Sequence, residues 1–185
     1  MALLLFGFWA GAVPFGVLIA KWLGVDIREH GSGNIGATNV TRVLGPIPGA
    51  IVLVLDALKG AIPTLLAIRY SGEHWAVMAT GFAAILGHCF SPFLEFRGGK
   101  GVATAMGVFL VLAPQFVVFG VLAFVGVLLM TKVPALGSLA GTLTIAISFL
   151  VHREREAAVL AFVTLTLMLY THRTNLAKLR KGKPL

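Results

Sequence analysis

Residues 102–131 read VATAMGVFLVLAPQFVVFGVLAFVGVLLMT, a run of thirty residues without a charged side chain. One straight helix of this length would measure about 45 Å, whereas the hydrocarbon core of a bilayer is roughly 30 Å thick. Proline ends or kinks a helix because it has no amide hydrogen, and Pro114 lies near the middle of the run. We therefore predict two short membrane helices that meet at residues 113–115.

The rest of the chain is similarly apolar. Of its 185 residues, 58% are hydrophobic and 12% are charged, and the mean hydropathy is +0.94, whereas a soluble protein carries about 25% charged residues. The sequence therefore predicts an all-α, polytopic integral membrane protein with about seven transmembrane helices, some of them short, in a single domain of residues 1–185. Besides the divided run, the predicted spans are 1–20, 42–69, 75–93, 134–151 and 157–170.

Basic residues are unevenly distributed among the predicted loops. With seven crossings, one side of the membrane holds eleven of the fifteen lysines and arginines, including those of the C-terminal segment. Cytoplasmic loops are enriched in these residues. We therefore predict a protein of the cytoplasmic membrane whose N-terminus lies on the outer side and whose C-terminus lies in the cytoplasm. The net charge of +8 is spread over short patches between apolar spans. This pattern favours membrane lipids over nucleic acid as a partner.

A first polar motif, GSGNIGATN, occupies residues 31–39, with Arg42 close behind. Glycine permits positive φ angles and close approach of a ligand, and successive free backbone amides can form a concave anion site. The motif therefore predicts a site for a phosphate-bearing substrate, and a simple glycine-rich turn is the alternative. Its predicted substrate-binding residues are Gly31, Ser32, Gly33, Asn34, Gly36 and Arg42.

A second polar motif, RGGKG, occupies residues 97–101 and precedes an apolar helix. The N-terminus of a helix offers unpaired amides and the positive end of its dipole, which suits an anion. A loop that only sets membrane topology is the alternative. The predicted substrate-binding residues here are Gly98, Gly99, Lys100, Gly101 and Thr104.

Other polar residues lie in or beside the predicted spans. His172 and Asn175 share one helical face if the last helix continues, and His172 is either a base or a phosphate ligand. Ser138 either faces the same site or packs between helices. Asp56 and Lys59 lie three residues apart within a span and are expected to pair, and a structural and a direct role are equally open for them and for His88.

Several common catalytic patterns are absent from the sequence. No Cys/His cluster has metal-binding spacing, the His-x4-Asp pattern of acyl-CoA acyltransferases does not occur, and neither does a Gly-x-Ser-x-Gly elbow. We therefore expect no metal, no cofactor and no standard catalytic triad.

The polar motifs, in this order, resemble those of the acyl-phosphate-dependent glycerol-3-phosphate acyltransferases of bacterial phospholipid synthesis, the PlsY family. The resemblance covers nearly the whole chain. It implies a small polytopic enzyme, with its site facing the cytoplasm, that converts acyl phosphate and glycerol 3-phosphate into lysophosphatidic acid and inorganic phosphate. By motif, it assigns the substrate site to Ser32, Arg42, Lys100, Ser138, His172 and Asn175, and phosphate cradles to residues 31–36 and 98–101.

The C-terminal motif departs from the family pattern in two places. Thr174 stands where glutamate is usual, and Gly182 is followed by Lys-Pro-Leu rather than closely by glutamate. If one of those glutamates orients His172 in the family, the role of His172 differs here.

The expected chemistry is direct acyl transfer without an acyl-enzyme, because a mixed anhydride is already activated. A substrate phosphate oxygen or His172 would accept the proton, and Asn39, His172 and Asn175 are the candidates for the reacting centre. We expect a monomer. The competing interpretations are a transporter for phosphate or an organophosphate and a non-catalytic membrane scaffold.

Overall fold

A computed structural model describes residues 1–181, in which all regular secondary structure is helical. The unusual residues that follow Gly182 lie outside the described part of the chain. Two single-turn 3-10 helices, Ile27–Glu29 and Pro92–Leu94, stand among the loops. The α-helices are α1 (Ala2–Ala12), α2 (Phe15–Trp22), α3 (Ala37–Leu44), α4 (Pro46–Ser71), α5 (His74–Cys89), α6 (Val102–Leu112), α7 (Pro114–Thr131), α8 (Pro134–Val151), α9 (Arg155–Thr171) and α10 (Arg173–Arg180).

The break predicted within the long apolar run is confirmed. α6 ends at Leu112 and α7 begins at Pro114, with Ala113 between them at φ −156° and ψ 83°. Proline is favoured at the first position of a helix, where its missing amide hydrogen costs nothing. The same preference applies to Pro134, which begins α8, and the predicted bounds of that helix, 134–151, agree with the structure.

Membrane spans follow from helix length and composition. Within residues 1–181, five spans are long and apolar enough to cross a membrane, with α1 and α2 counted together as one. α9 and α10, bent by 57°, form a sixth if they are one span, and α6 is a shorter apolar helix of 11 residues. The all-helical membrane fold is confirmed, whereas the count of seven and the orientation stay predictions.

Two predicted spans have different boundaries in the structure. The prediction that one span begins at residue 42 is wrong, because Gly45, at φ 94°, separates the short helix α3 from α4. Glycine adopts this φ without strain, and Arg42 therefore belongs to α3. The first span is also interrupted, at Val13 and Pro14, between α1 and α2.

Residues 1–108 form one compact unit. In it, α1 and α5 run in parallel, because Gly7 lies against Thr80 and Gly11, one turn on, lies against Ala84. The two motif-bearing loops follow α2 and α5, and they therefore leave this unit at the same end.

The contact at Gly11 is a sensitive point of this packing. A Cβ atom at Gly11 would overlap the carbonyl group of Ala84, whereas one at Gly126, in α7, would meet no atom within 4 Å. We expect Gly11→Ala to lower the free energy of unfolding by about 1–3 kcal/mol through overpacking. Gly126→Ala should leave it unchanged or raise it by up to about 1 kcal/mol. Denaturation in detergent measures both, and equal effects at the two sites would contradict this view of the packing.

Residues 109–181 form a second compact unit. α7 packs against α8 where Gly120 meets Gly141, and the rings of Phe116 and Phe149 meet edge to face with their centroids 5.1 Å apart. α9 packs on α8. The prediction of a single domain over residues 1–185 stays a prediction.

Candidate active site

The first glycine loop, residues 31–36, is shaped by two glycines with positive φ, Gly31 (61°) and Gly33 (71°). Three of its amides have acceptors inside the protein. The amide of Ser32 donates to Asn39 Oδ1 (2.8 Å), that of Gly33 to the carbonyl of His30 (3.0 Å) and that of Gly36 to Asn34 Oδ1 (2.9 Å). The expectation that these amides are free for an anion is therefore wrong.

Polar side chains of this segment remain accessible. Ser32 and Arg42 are exposed, and Asn34 is half-buried. The polar motif is also shorter than predicted, because residues 37–39 form the first turn of α3. α3 thus carries Arg42 directly behind the loop.

Asn39 braces the first loop from α3. Its side chain is buried, its Oδ1 accepts from the amide of Ser32, and its Nδ2 donates to the carbonyls of His30 (3.0 Å) and, more weakly, Ile27 (3.4 Å). The carboxamide therefore has both its oxygen and its nitrogen engaged within the segment that presents Ser32. This geometry indicates a positioning residue, which holds a neighbouring residue in place without itself touching the substrate.

An ion pair that the sequence motifs did not predict precedes the first loop. Arg28 donates from Nη2 to Asp26 Oδ2 (2.6 Å) and from Nε to Asp26 Oδ1 (2.9 Å). These hydrogen bonds hold the pKa of the Asp26 carboxyl well below its usual range and raise the pKa of Arg28. The opposite charges two residues apart in the sequence are the signal from which this pair could have been predicted. Exposed pairs of this kind contribute little to the stability of a fold.

The second glycine loop, residues 98–101, is anchored to the end of α5. The amide of Gly98 donates to the carbonyl of Cys89 and that of Gly99 to the carbonyl of His88, both at 3.0 Å. A Cβ atom at Gly99 would overlap the His88 ring, so the ring supports the loop from below. The predicted helix start directly after the loop is confirmed, because α6 begins at Val102.

Lys100 and Thr104 differ in their surroundings. Lys100 is half-buried within the loop, next to Gly101 at φ 84°. Thr104 is fully buried in α6 and packs against Gly60 of α4. Its position is therefore in the helix packing behind the loop.

The predicted pairing of Asp56 with Lys59 is confirmed. The Oδ1 atom of Asp56 lies 2.7 Å from Nζ of Lys59, and both side chains are buried. Within residues 1–181, no group of three His, Cys, Asp or Glu side chains is arranged to hold a metal ion.

Ser138 and His172 lie at the same end of two packed helices in the second unit. Thr142, in α8, donates to Met168 Sδ of α9 (3.2 Å). Ser138 is one turn before Thr142 and His172 one turn after Met168, and the short connection between the helices makes them antiparallel. Ser138 and His172 therefore lie at the same height along the axes of the two helices.

The His172 ring is held by its own helix. It is 2% exposed, and its Nδ1 lies 2.8 Å from the carbonyl of Met168. A carbonyl oxygen only accepts, so Nδ1 carries the hydrogen, and Nε2 is the basic nitrogen of the neutral ring. The last helix does not continue straight: the chain bends by 57° between α9 and α10, with His172 at the bend and Asn175 in the first turn of α10.

The fold is that of an integral membrane acyltransferase. The structure is similar to a crystal structure of PlsY, an integral membrane glycerol 3-phosphate acyltransferase, in its glycerol 3-phosphate form. The TM-score is 0.95 and the sequence identity 39%, over 100% of this chain and 93% of that chain. The lysophosphatidic acid form of PlsY gives a TM-score of 0.93 with the same identity and coverage.

Sequence comparisons identify the family. A family model described as Glycerol-3-phosphate acyltransferase matches residues 1–182. A glycerol-3-phosphate acyltransferase of Myxococcus xanthus is 51% identical over 183 residues, covering 97% of this chain and 95% of the relative. A glycerol-3-phosphate acyltransferase of Aquifex aeolicus is 42% identical over 184 residues, covering 98% of this chain and 95% of that relative. The chain therefore belongs to the glycerol-3-phosphate acyltransferase family, as its motifs predicted, and this membership argues against a transporter or a scaffold.

Proposed function

We propose that this acyltransferase takes its acyl group from acyl phosphate and transfers it to glycerol 3-phosphate, producing 1-acyl-glycerol 3-phosphate and inorganic phosphate. The observation that carries the proposal is the pair of glycine loops, which leave the first unit at the same end. Each loop has its own anchorage, in α3 for one and α5 for the other. A reaction between two phosphate-bearing substrates requires two anion sites, whereas a coenzyme A thioester donor would not place a phosphate at its reacting carbonyl.

The substrate contacts proposed here involve side chains more than backbone amides. Arg42 and Lys100 supply fixed positive charge for the phosphates, and Ser32 supplies a hydroxyl from the first loop. Asn39 is a positioning residue for Ser32 and does not touch substrate. Further proposed contacts are Asn34, Ser138, His172, Asn175 and the glycine backbones at 31 and 101.

The proposed reaction is a direct transfer. A hydroxyl oxygen of glycerol 3-phosphate attacks the acyl carbonyl carbon and forms a tetrahedral intermediate. The bond from that carbon to the bridging oxygen then breaks, and inorganic phosphate leaves with the electron pair. The hydroxyl proton passes to a phosphate oxygen, so the enzyme needs orientation and charge stabilisation rather than an activated nucleophile.

A donor assay tests the proposed function. The purified protein in detergent is supplied with palmitoyl phosphate or palmitoyl-CoA, each with and without glycerol 3-phosphate. We expect phosphate release from acyl phosphate only when glycerol 3-phosphate is present, with lysophosphatidic acid formed in equal amount. Comparable turnover of the coenzyme A thioester would contradict the proposed donor.

We also propose that the site faces the cytoplasm from the inner membrane, with the α4–α5 turn on the opposite side. The chain's single cysteine, Cys89, is buried, so engineered cysteines give a clean signal. An impermeant maleimide added to intact spheroplasts should label Glu73→Cys, whereas Lys181→Cys should react only after permeabilisation. Both positions are exposed, and the reverse labelling pattern would contradict the orientation.

A further inference from the structure

A pair of opposite charges lies inside α4, although this helix is long and apolar enough to span a membrane. Asp56 and Lys59 are 2% and 3% exposed at their side chains and lie 2.7 Å apart. Replacing a buried ion pair by apolar residues of similar size is often neutral or stabilising. Stability alone therefore does not account for this pair, and its other contacts indicate what it does.

Lys59 has a second partner at the interruption of the first span. Its Nζ donates to the carbonyl of Val13 (2.9 Å), next to Pro14, and the Ser91 hydroxyl donates to the carbonyl of Ala12 (2.6 Å). Backbone carbonyls at a helix end lack helical partners and require others when they are buried. Lys59 and Ser91 supply these donors and so hold the break in one conformation.

The break directs α2 towards the first glycine loop. A Cβ atom at Gly16, in the first turn of α2, would overlap the carbonyl of Ile35. The backbone of α2 therefore lies directly against the loop that carries Ser32. A change in the angle at Pro14 would be transmitted to this contact.

Asp56 faces the second loop through His88. Its Oδ1 lies 3.8 Å from Nδ1 of the buried His88 ring. That ring in turn lies under Gly99, and the His88 carbonyl accepts from the Gly99 amide. A continuous set of contacts thus runs from Pro14 through Lys59, Asp56 and His88 to the loop that carries Lys100.

We infer that Asp56 and Lys59 are positioning residues for acyl transfer. They hold the first glycine loop in place through the break at Pro14 and the second through the ring of His88. Neither residue touches substrate. The inference rests on the phosphate-binding role proposed for the loops. It adds that a single buried ion pair, remote in sequence from both loops, controls their geometry.

The test separates positioning from folding. The double variant Asp56→Leu/Lys59→Met removes both charges together and leaves no unpaired one. We expect it to fold, with a thermal midpoint in detergent that is unchanged or modestly lower, because the Val13 carbonyl loses its donor while no charge is left unpaired. Amide hydrogen exchange should accelerate at least about tenfold in peptides covering residues 31–36 and 98–101, whose bonded amides report local opening. kcat/KM should fall between about tenfold and 10²-fold, as misplacement of binding groups produces.

Leu58→Ala is the matched control, because Leu58 lies between the pair on the same helix and is 43% exposed on its outer face. It should leave exchange in both loops and kcat/KM at wild-type values. If the double variant does not fold, His88→Asn takes its place: it keeps both charges but removes the ring beneath Gly99, and exchange at residues 98–101 should accelerate in the same way.

Unchanged exchange in both loops would overturn the inference, and so would faster exchange accompanied by wild-type kcat and KM. The exchange measurement uses no substrate. It therefore reports on loop positioning even if the donor assay refutes acyl phosphate, so that failure of one proposal is distinguishable from failure of the other.

Discussion

Lys100→Ala is expected to lower kcat/KM by about 10²–10³-fold, the cost typical of removing one preorganised group that stabilises developing charge. Lys100 lies in a loop tied to the last carbonyls of α5 and directly before the first turn of α6. The backbone of Lys100 is therefore fixed next to a helix N-terminus, where anions are favoured. Steady-state kinetics with each substrate varied in turn measures the loss and shows which phosphate it concerns.

The control for Lys100→Ala is Lys21→Ala, which removes the same charge from an exposed position in α2. It should retain kcat/KM within about twofold, because surface charge away from a site acts weakly through screened solvent. Equal losses in the two variants would mean that Lys100 contributes only general positive charge. Lys100→Arg should recover part of the activity, since it keeps the charge but not the compact ammonium.

His172→Ala is expected to lower kcat/KM for glycerol 3-phosphate by about 10²-fold, with most of the loss in KM, because a hydrogen bond to a charged group contributes about 1.5–3 kcal/mol. The ring is fixed by its hydrogen bond from Nδ1 to the Met168 carbonyl, so Nε2 is presented in one orientation. A substrate phosphate oxygen accepts the proton in the proposed mechanism, and residual turnover at saturating substrate should therefore survive. Loss confined to kcat, with KM unchanged, would instead identify His172 as the base.

His152 provides a matched control for this variant. Its Nδ1 makes the same kind of contact, 2.9 Å to the carbonyl of Ser148 four residues earlier, but the side chain is exposed at the opposite end of α8. His152→Ala should leave both kcat and KM unchanged. An equal loss in both variants would assign the effect to the second unit's stability, which a thermal unfolding measurement would show independently.

Local signals in the sequence predicted the helices well wherever proline marks a boundary. Pro114 identified the break in the long apolar run, and Pro134 the start of α8. Pro14 carries the same signal, yet the span around it was predicted to be continuous. Gly45 likewise separates α3 from α4 inside a predicted span. In both places the flanking segments are apolar enough to be taken for one helix.

The glycine loops show where composition stops being informative. Their glycines, hydroxyls and cations identified them as candidate anion sites, and the family resemblance was confirmed. The partners of their amides were not predictable, because Asn39 reaches back to Ser32 and His30 only once α3 has formed. An amide counted as free in the sequence is occupied in the folded chain.

The sequence by itself determined that this is an all-helical membrane protein of the acyltransferase family, because apolar run length, proline position and motif order are local properties. Tertiary structure alone decided which groups meet across long separations, such as Lys59 with Val13, 46 residues apart, and Ser91 with Ala12, 79 residues apart. The physical reason is that lipid and protein interior are equally apolar. Hydrophobicity therefore places a helix in the membrane without showing which of its faces turns towards a neighbour.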